Sequence, residues 1–155
     1  MPVWLRSRLR YPVIVLPQVK KVTQKILTVS GRPDDVVSLD FIGDLRMRRL
    51  NQQYRGVDCT TDVLAFAMQE AGSPLSFPLL GDVVISFHMA ARQAAQNRIS
   101  LDQEIIKLII HGILHLLGYD HELSELEARR MHQKEQAIFR SLMPIPQLVR
   151  RKTSK

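Results

Sequence analysis

The sequence predicts an α+β or mixed α/β domain built on one sheet of about four strands. Segments with strand-like apolar patterns alternate with segments of helical periodicity, in the order β-α-β-α-β-β-α-α-α. The chain has 155 residues, of which 45% are hydrophobic, and this suits one compact domain with a single core. Because no internal repeat or linker divides the chain, we predict one domain over residues 1–145 and a basic, flexible tail over residues 146–155.

Four short segments rich in β-branched and other apolar residues are predicted as strands. They are YPVIVL (11–16), VVSLDFIG (36–43), TDVLAFAM (61–68) and DVVISF (82–87). Between the last two, QEAGSPLSFPLLG (69–81) contains two prolines and two glycines, so we predict a loop there.

Helix starts and stops are indicated by capping residues, glycine and proline. The first helix begins near Pro17 and is stopped by Gly31. Asp44 can cap a second helix, which Gly56 ends, and a third helix is predicted over residues 88–97.

Capping-box patterns, in which a serine is followed three residues later by a glutamine or glutamate, open the last two helices. They are Ser100 with Gln103 and Ser124 with Glu127. The fourth helix contains IIKLIIHGILHLL, which is apolar nearly all round, so we expect it to run through the core.

The chain carries a formal charge of +7, and its sequence pI is about 10.0. This charge favours a polyanionic partner such as RNA, DNA or an anionic membrane surface, although a basic surface kept for solubility would give the same value. Basic residues cluster in RMRRL, so Arg46, Arg48 and Arg49 are candidate RNA-binding residues. Binding through phosphate contacts predicts an affinity that falls with salt.

The sequence contains no membrane or export signal. No segment approaches the roughly 18 consecutive apolar residues of a membrane span, and the apolar run near the N-terminus is too short for a secretory signal. Cys59 is the only cysteine, and we interpret it as a small loop or core residue rather than a nucleophile. We therefore predict a cytoplasmic protein without a membrane partner.

The segment HGILHLLGYDH places three histidines at the spacing of a metal site. His111 and His115 lie one helical turn apart, so both imidazoles project from the same side of the helix. Gly118 can take the left-handed conformation that reverses the chain, and His121 can then supply a third nitrogen. Three protein ligands leave a fourth position open, as in catalytic zinc sites. We therefore predict one Zn²⁺ ion, although Ni²⁺ or Co²⁺ could take the same geometry.

The histidine spacing is that of metzincin proteases, but the glutamate that follows the first histidine in those enzymes is absent. Gly112 occupies that position. A protease needs the carboxylate to carry a proton to the leaving amine, whereas cations can stabilise the charge that develops on phosphodiester oxygens. Arg55, at the end of a predicted helix in NQQYRGVDCTTDVLAF, could supply a guanidinium that clamps a phosphate.

Three segments, HGILHLLGYDH, NQQYRGVDCTTDVLAF and GDVVIS, together resemble the YbeY family of bacterial single-strand-specific endoribonucleases, which are associated with ribosomal RNA maturation. Met131 and Glu135 also fit the family pattern, and the similarity covers about residues 36–140. The resemblance implies a mixed four-stranded sheet surrounded by about five helices and a zinc-dependent hydrolase that acts on RNA. It gives the three histidines of HGILHLLGYDH the role of metal ligands and Arg55 a catalytic role.

We therefore predict a metal-dependent single-strand-specific endoribonuclease that acts in ribosomal RNA processing and ribosome quality control. Arg55 and His111 are the predicted catalytic residues, and Asp120, beside a metal ligand, is a candidate to orient an imidazole. Attack by hydroxide and attack by the ribose 2′-hydroxyl both remain open. One alternative is a zinc hydrolase of another substrate such as peptide, against which Gly112 argues. Another is a non-enzymatic RNA- or ribosome-binding assembly factor, which the net charge supports equally well.

Overall fold

The computed structural model describes residues 3–7, 14–68 and 79–150, which form four strands and five helices. The strands are β1 (Val3–Ser7), β2 (Val36–Ile42), β3 (Val63–Ala67) and β4 (Leu79–Ser86). The helices are α1 (Leu16–Val29), α2 (Asp44–Arg55), α3 (Phe87–Asn97), α4 (Leu101–Leu116) and α5 (Glu125–Ser141). Within the described ranges, no helix combines the length and the apolar character needed to cross a membrane.

The four strands form one mixed sheet with the order β1-β2-β4-β3. The β1–β2 and β2–β4 pairs are parallel, and the β3–β4 pair is antiparallel. This arrangement confirms the predicted mixed four-stranded sheet and the α+β class. β3 is an edge strand, so one of its sides is open to the cleft described below.

Side chains alternate across the sheet, and one face carries most of the core. On that face α4 packs against β3 and β4, and α1 packs against β1. The buried side chains that the sheet contributes there include Val37, Leu39, Phe41, Val83 and Ile85. On the opposite face, α2 covers one end of the sheet through a separate cluster of Ile42, Met47, Leu64 and Val84.

The fourth helix, α4, runs through the core as predicted, because nine of its sixteen residues are buried. Its start is fixed by the predicted capping box: Ser100 Oγ accepts a hydrogen bond from the backbone N–H of Gln103, and the Gln103 side chain accepts one from the Ser100 N–H. Glu127 N–H donates in the same way to Ser124 Oγ at the start of α5. These caps fix where the metal-binding segment begins and where the helix after it begins.

The first strand of the described chain lies at Val3–Ser7, and the prediction of a strand over residues 11–16 is wrong for residues 14–16, the part of that segment that the structure describes. In that segment Ile14 forms only an isolated bridge, to Val149, and the first three residues lie outside the described part of the chain. Pro17 stands in the first turn of α1, where its fixed φ favours the helix, and the helix therefore takes the end of the predicted strand. The loop predicted over residues 69–81 also differs, because its last three residues belong to β4; the rest of it is not described.

The sequence suggested that Asp44 caps α2, but in the structure it does not. Gly43 occupies the N-cap position without a side-chain bond, and Asp44 is the first helical residue. The Asp44 carboxylate instead accepts two hydrogen bonds from the Arg92 guanidinium, at 2.8 and 3.1 Å, and one from Ser86 Oγ at 3.2 Å. The bonds from Arg92 lower the pKa of Asp44, and the carboxylate links α2 to α3 and to the end of β4.

The predicted tail, residues 146–155, packs against the domain in its first half. Leu148 is fully buried, and the Asp102 carboxylate accepts the N–H groups of Leu148 and Val149 at 2.7 and 3.0 Å. These two apolar residues explain the difference, because they can enter the core whereas their basic neighbours cannot. Residues 151–155 lie outside the described part of the chain.

Candidate metal centre

Three histidines converge at the end of α4. His111 and His115 project from the last turns of the helix, and their ring centroids are 4.7 Å apart. Gly118 has a φ of 99°, a left-handed conformation that favours glycine, and the chain turns there. The His121 ring then lies 5.3 and 5.4 Å from the other two ring centroids. One potential ligand atom from each histidine lies within 4.8 Å of the others, so the cluster can hold a metal ion.

The surroundings of His115 favour its neutral form. Burial lowers the pKa of His115, and the neighbouring His111 and His121 lower it further. A lowered pKa keeps the His115 imidazole neutral near pH 7, and the neutral imidazole is the form that binds a metal.

A carboxylate from α5 lies close to the histidine cluster. Glu135 Oε2 lies 3.4 Å from His111 Nδ1, and both side chains are 27% exposed. Glu135 shares a face of α5 with Met131 and Ile138, which are fully buried. In the sequence Glu135 fits the family pattern, but that pattern predicts no role for it; the signal that could have indicated one is an acidic residue on an apolar helix stripe.

Asp120, the residue predicted to orient an imidazole, lies in the turn between the second and third histidines. Its Oδ1 accepts the backbone N–H of Glu122 at 2.9 Å. This is the Asx-turn bond that aspartate commonly makes in turns. Asp120 lines the cleft, but the bond that the structure gives its carboxylate shapes the turn that carries His121.

Arg55 and the histidine cluster line one cleft of about 430 Å³. Arg55 is the last residue of α2, where Gly56 takes a left-handed conformation with a φ of 71° and ends the helix. The lining also includes Thr61 and Ala65, from the loop after Arg55 and the edge strand β3, and residues from the end of α4 and the turn that follows it. The fold therefore brings together two groups that are distant in the sequence.

The loop between α2 and β3 is held by side-chain bonds from α2. Asn51 Nδ2 donates to the Cys59 carbonyl at 2.8 Å, and Arg48 makes two bonds to the Asp58 carboxylate at 2.8 and 3.1 Å. Cys59 is exposed in this loop, as expected for a small loop residue. This anchoring fixes the path of the chain that leaves Arg55 and enters the cleft wall.

The three arginines predicted to bind RNA are all exposed on α2, but they differ in surroundings. Arg48 is bonded to Asp58, as described above. Arg46 lines a groove of about 720 Å³ on the opposite face of the sheet, together with Trp4 and Tyr54. Their contribution to RNA binding stays a prediction.

Gly112, which replaces the protease glutamate, faces the sheet at very close range. A Cβ atom added there would lie 2.6 Å from Val83 Cγ1 and 3.1 Å from Val83 Cγ2, with Val63 Cγ2 at 3.5 Å. The helix can pack this closely on β3 and β4 only because the position has no side chain. A glutamate at position 112 would collide with the sheet, so the fold excludes the protease arrangement.

We expect Gly112→Ala to lower the free energy of unfolding by up to about 2 kcal/mol, because overpacking a core costs about 1–3 kcal/mol and alanine recovers about 1 kcal/mol of helix propensity. Urea denaturation of the metal-free protein measures the change. The Gly112→Ala/Val83→Ala double variant should be less destabilised than the sum of the two single variants, because Val83 carries the clashing methyl groups. Additive effects would contradict this packing explanation.

Comparisons with known proteins agree on one family. The family described as "Endoribonuclease YbeY" matches residues 13–143. The chain is 44% identical over 141 residues to Endoribonuclease YbeY of Geobacter metallireducens and 43% identical over 141 residues to that of Geobacter sulfurreducens, in both cases over 90% of this chain and 94% of the relative. Its fold is similar to the solution structure of TM1509 from Thermotoga maritima, with a TM-score of 0.64 and 23% identity over 90% of this chain and 88% of that one.

Proposed function

Since the chain belongs to the YbeY endoribonuclease family, we propose that it is a zinc-dependent endoribonuclease that cuts single-stranded RNA. Its proposed substrates are ribosomal RNA precursors, met in the cytoplasm in contact with the ribosome. The observation that carries the proposal is the single cleft lined by the histidine cluster and Arg55. A cation held by imidazoles and a guanidinium in the same cleft suit a substrate whose reacting group is an anion.

The histidine cluster fits a divalent transition metal ion, because three imidazoles offer nitrogen atoms within 4.8 Å of one another. When bound, such an ion supplies a Lewis acid that polarises a phosphoryl oxygen and lowers the pKa of water. Zn²⁺ is the proposed ion, since imidazole ligands suit it and three protein ligands leave a coordination position free. The role of the chain is to hold the ion at the end of a rigid, buried helix.

Arg55 binds the phosphate from the part of the cleft wall that it shares with the loop after it. Its guanidinium presents N–H donors in a planar fork that matches two phosphate oxygens, so it both positions the scissile group and stabilises the charge that develops on it. The anchored loop after Arg55 limits how far this wall can move. Cleavage therefore depends on two cationic groups, the bound metal ion and the Arg55 guanidinium, that are in position before the substrate binds.

A peptidase is the less suitable function for the same cleft. Peptide cleavage at such a zinc site uses a glutamate next to the first histidine, and the sheet leaves no space for a side chain at position 112. A phosphodiester needs less help with its leaving group, because cations can stabilise the developing negative charge directly.

The test compares substrates of one sequence on one protein preparation. We expect purified protein with about one zinc ion per chain to cut single-stranded RNA and to leave the matching RNA duplex intact, with activity lost on chelation and restored by zinc. Denatured protein serves as the peptidase substrate. Product ends decide the open chemical question, since 2′,3′-cyclic phosphates indicate attack by the ribose hydroxyl, whereas 5′-phosphate and 3′-hydroxyl ends indicate attack by water.

Two results would overturn the proposal. Cleavage of denatured protein without cleavage of RNA would favour the peptidase. Tight RNA binding by the zinc-loaded protein without any cleavage would favour a non-enzymatic assembly factor.

A further inference from the structure

A contact between Glu135 and His111 connects α5 to the metal centre. Among the described residues, Glu135 is the carboxylate that lies within 4.0 Å of a nitrogen in the histidine cluster, with Oε2 at 3.4 Å from His111 Nδ1. Its position on the inward face of α5, between the buried Met131 and Ile138, restricts where the side chain can go. Glu135 therefore reaches the imidazole from α5, a helix that contributes no residue to the lining of the cleft.

This geometry has a chemical consequence for the imidazole. A carboxylate that accepts a hydrogen bond from Nδ1–H keeps the proton on that nitrogen, so the lone pair is left on Nε2. The same bond fixes the orientation of the ring. For His111, whose Nδ1 faces Glu135, this leaves Nε2 as the nitrogen available to a metal ion.

The two other histidines of the cluster have different support. His115 is held by its place on the rigid helix and by burial, and its pKa is lowered. His121 is exposed and is positioned by the turn in which Asp120 bonds to the backbone of Glu122. A carboxylate partner at His111 thus completes a set of three ligands, each fixed by a different means.

We propose that Glu135 is a positioning residue that fixes the tautomer and the ring orientation of His111 and so raises the affinity of the centre for its metal ion. The inference rests on the proposed metal-dependent function, which it deepens. A role in helix packing alone would hold α5 against α4 but would leave the metal affinity unchanged.

The test measures zinc affinity directly, by competition with a chromophoric chelator, in Glu135→Ala, Glu135→Gln and the wild-type protein. We expect Glu135→Ala to weaken zinc binding about 10- to 100-fold, the usual effect of removing such a partner. Glu135→Gln should recover part of the affinity, because its amide oxygen can accept the same hydrogen bond without the charge. Glu125→Gln is the matched control, since it removes one exposed glutamate from the same helix and should leave the affinity unchanged.

Two further readouts separate positioning from packing. The absorption bands of bound Co²⁺ should shift in Glu135→Ala and stay unchanged in Glu125→Gln, because only the first change alters the ligand field. Thermal unfolding of the metal-free proteins shows whether the fold is intact. An unchanged zinc affinity in Glu135→Ala beside normal wild-type binding would overturn this inference alone, whereas a wild-type protein that binds no metal would overturn the proposed function as well.

Discussion

Replacing Arg55 by alanine is expected to reduce the kcat for cleavage of single-stranded RNA by about 100- to 1000-fold while zinc remains bound, as for the loss of one donor that stabilises transition-state charge. The guanidinium contributes most when negative charge builds on the phosphate, so its loss affects kcat more than KM. Arg55 is exposed at the end of α2, and its removal should therefore leave the fold and the histidine cluster intact. Cleavage kinetics and metal content, measured on the same samples, check both parts of the prediction.

Two companion variants make this result specific. Arg55→Lys keeps the charge but lacks the planar fork, so we expect it to restore only a small part of the activity. Arg49→Ala removes the same charge from the same helix but outside the cleft lining; it should keep nearly full kcat, and the RNA-binding role predicted for Arg49 would change KM instead. If Arg49→Ala and Arg55→Ala lowered kcat to the same extent, general charge rather than phosphate binding would be the role of Arg55.

The part of the site that lies in one continuous segment could be predicted from the sequence. The capping box at Ser100, the apolar helix and the spacing of His111 and His115 are local patterns, and helical geometry alone converts them into neighbouring imidazoles. Gly118 marked the turn that brings in His121 for the same reason. Local rules were sufficient there because α4 is too apolar to be stable anywhere except in the core.

Contacts between distant segments could not be derived in this way. The approach of Glu135 to His111 depends on how α5 packs on α4, and the sharing of one cleft by Arg55 and the histidines depends on where β3 joins the sheet. The resemblance to a family supplied the role of Arg55, but spacing did not. The sequence around Glu135 indicated its role only weakly, through its position on the same apolar face of α5 as Met131.

The errors in the fold prediction came from segments that can satisfy two local rules. The segment YPVIVL has strand-forming residues, but the proline after it favours the first turn of a helix. Asp44 has the side chain of a helix cap, but a bidentate bond from Arg92 holds its carboxylate elsewhere. In the first case the following proline, and in the second case the ion pair with Arg92, outweighed a local structural preference worth less than about 1 kcal/mol per residue.

His115→Ala is expected to remove both the metal ion and the activity. His115 is the second of the three ligands in the sequence, and burial lowers its pKa. Without it only two imidazoles of the cluster remain. We expect bound zinc to fall from about one ion per chain to nearly none and RNA cleavage to fall below detection. The reason is that a metal site with three protein ligands loses most of its affinity for the ion when one of those ligands is removed. Metal analysis after gel filtration and a single-strand cleavage assay provide the two measurements.

Thermal stability gives an independent readout of the same change. Zinc that binds only the folded protein stabilises it by RT ln(1 + [L]/Kd), which is about 2.7 kcal/mol at a zinc concentration of 100 Kd. Added zinc should therefore raise the Tm of the wild type and of Arg55→Ala but not that of His115→Ala. The exposed His132 on α5 lies outside the cluster, so His132→Ala should behave as the wild type in all three assays. Retention of one tightly bound zinc ion by His115→Ala would contradict the three-histidine centre, since the ion would then have to be held by other residues.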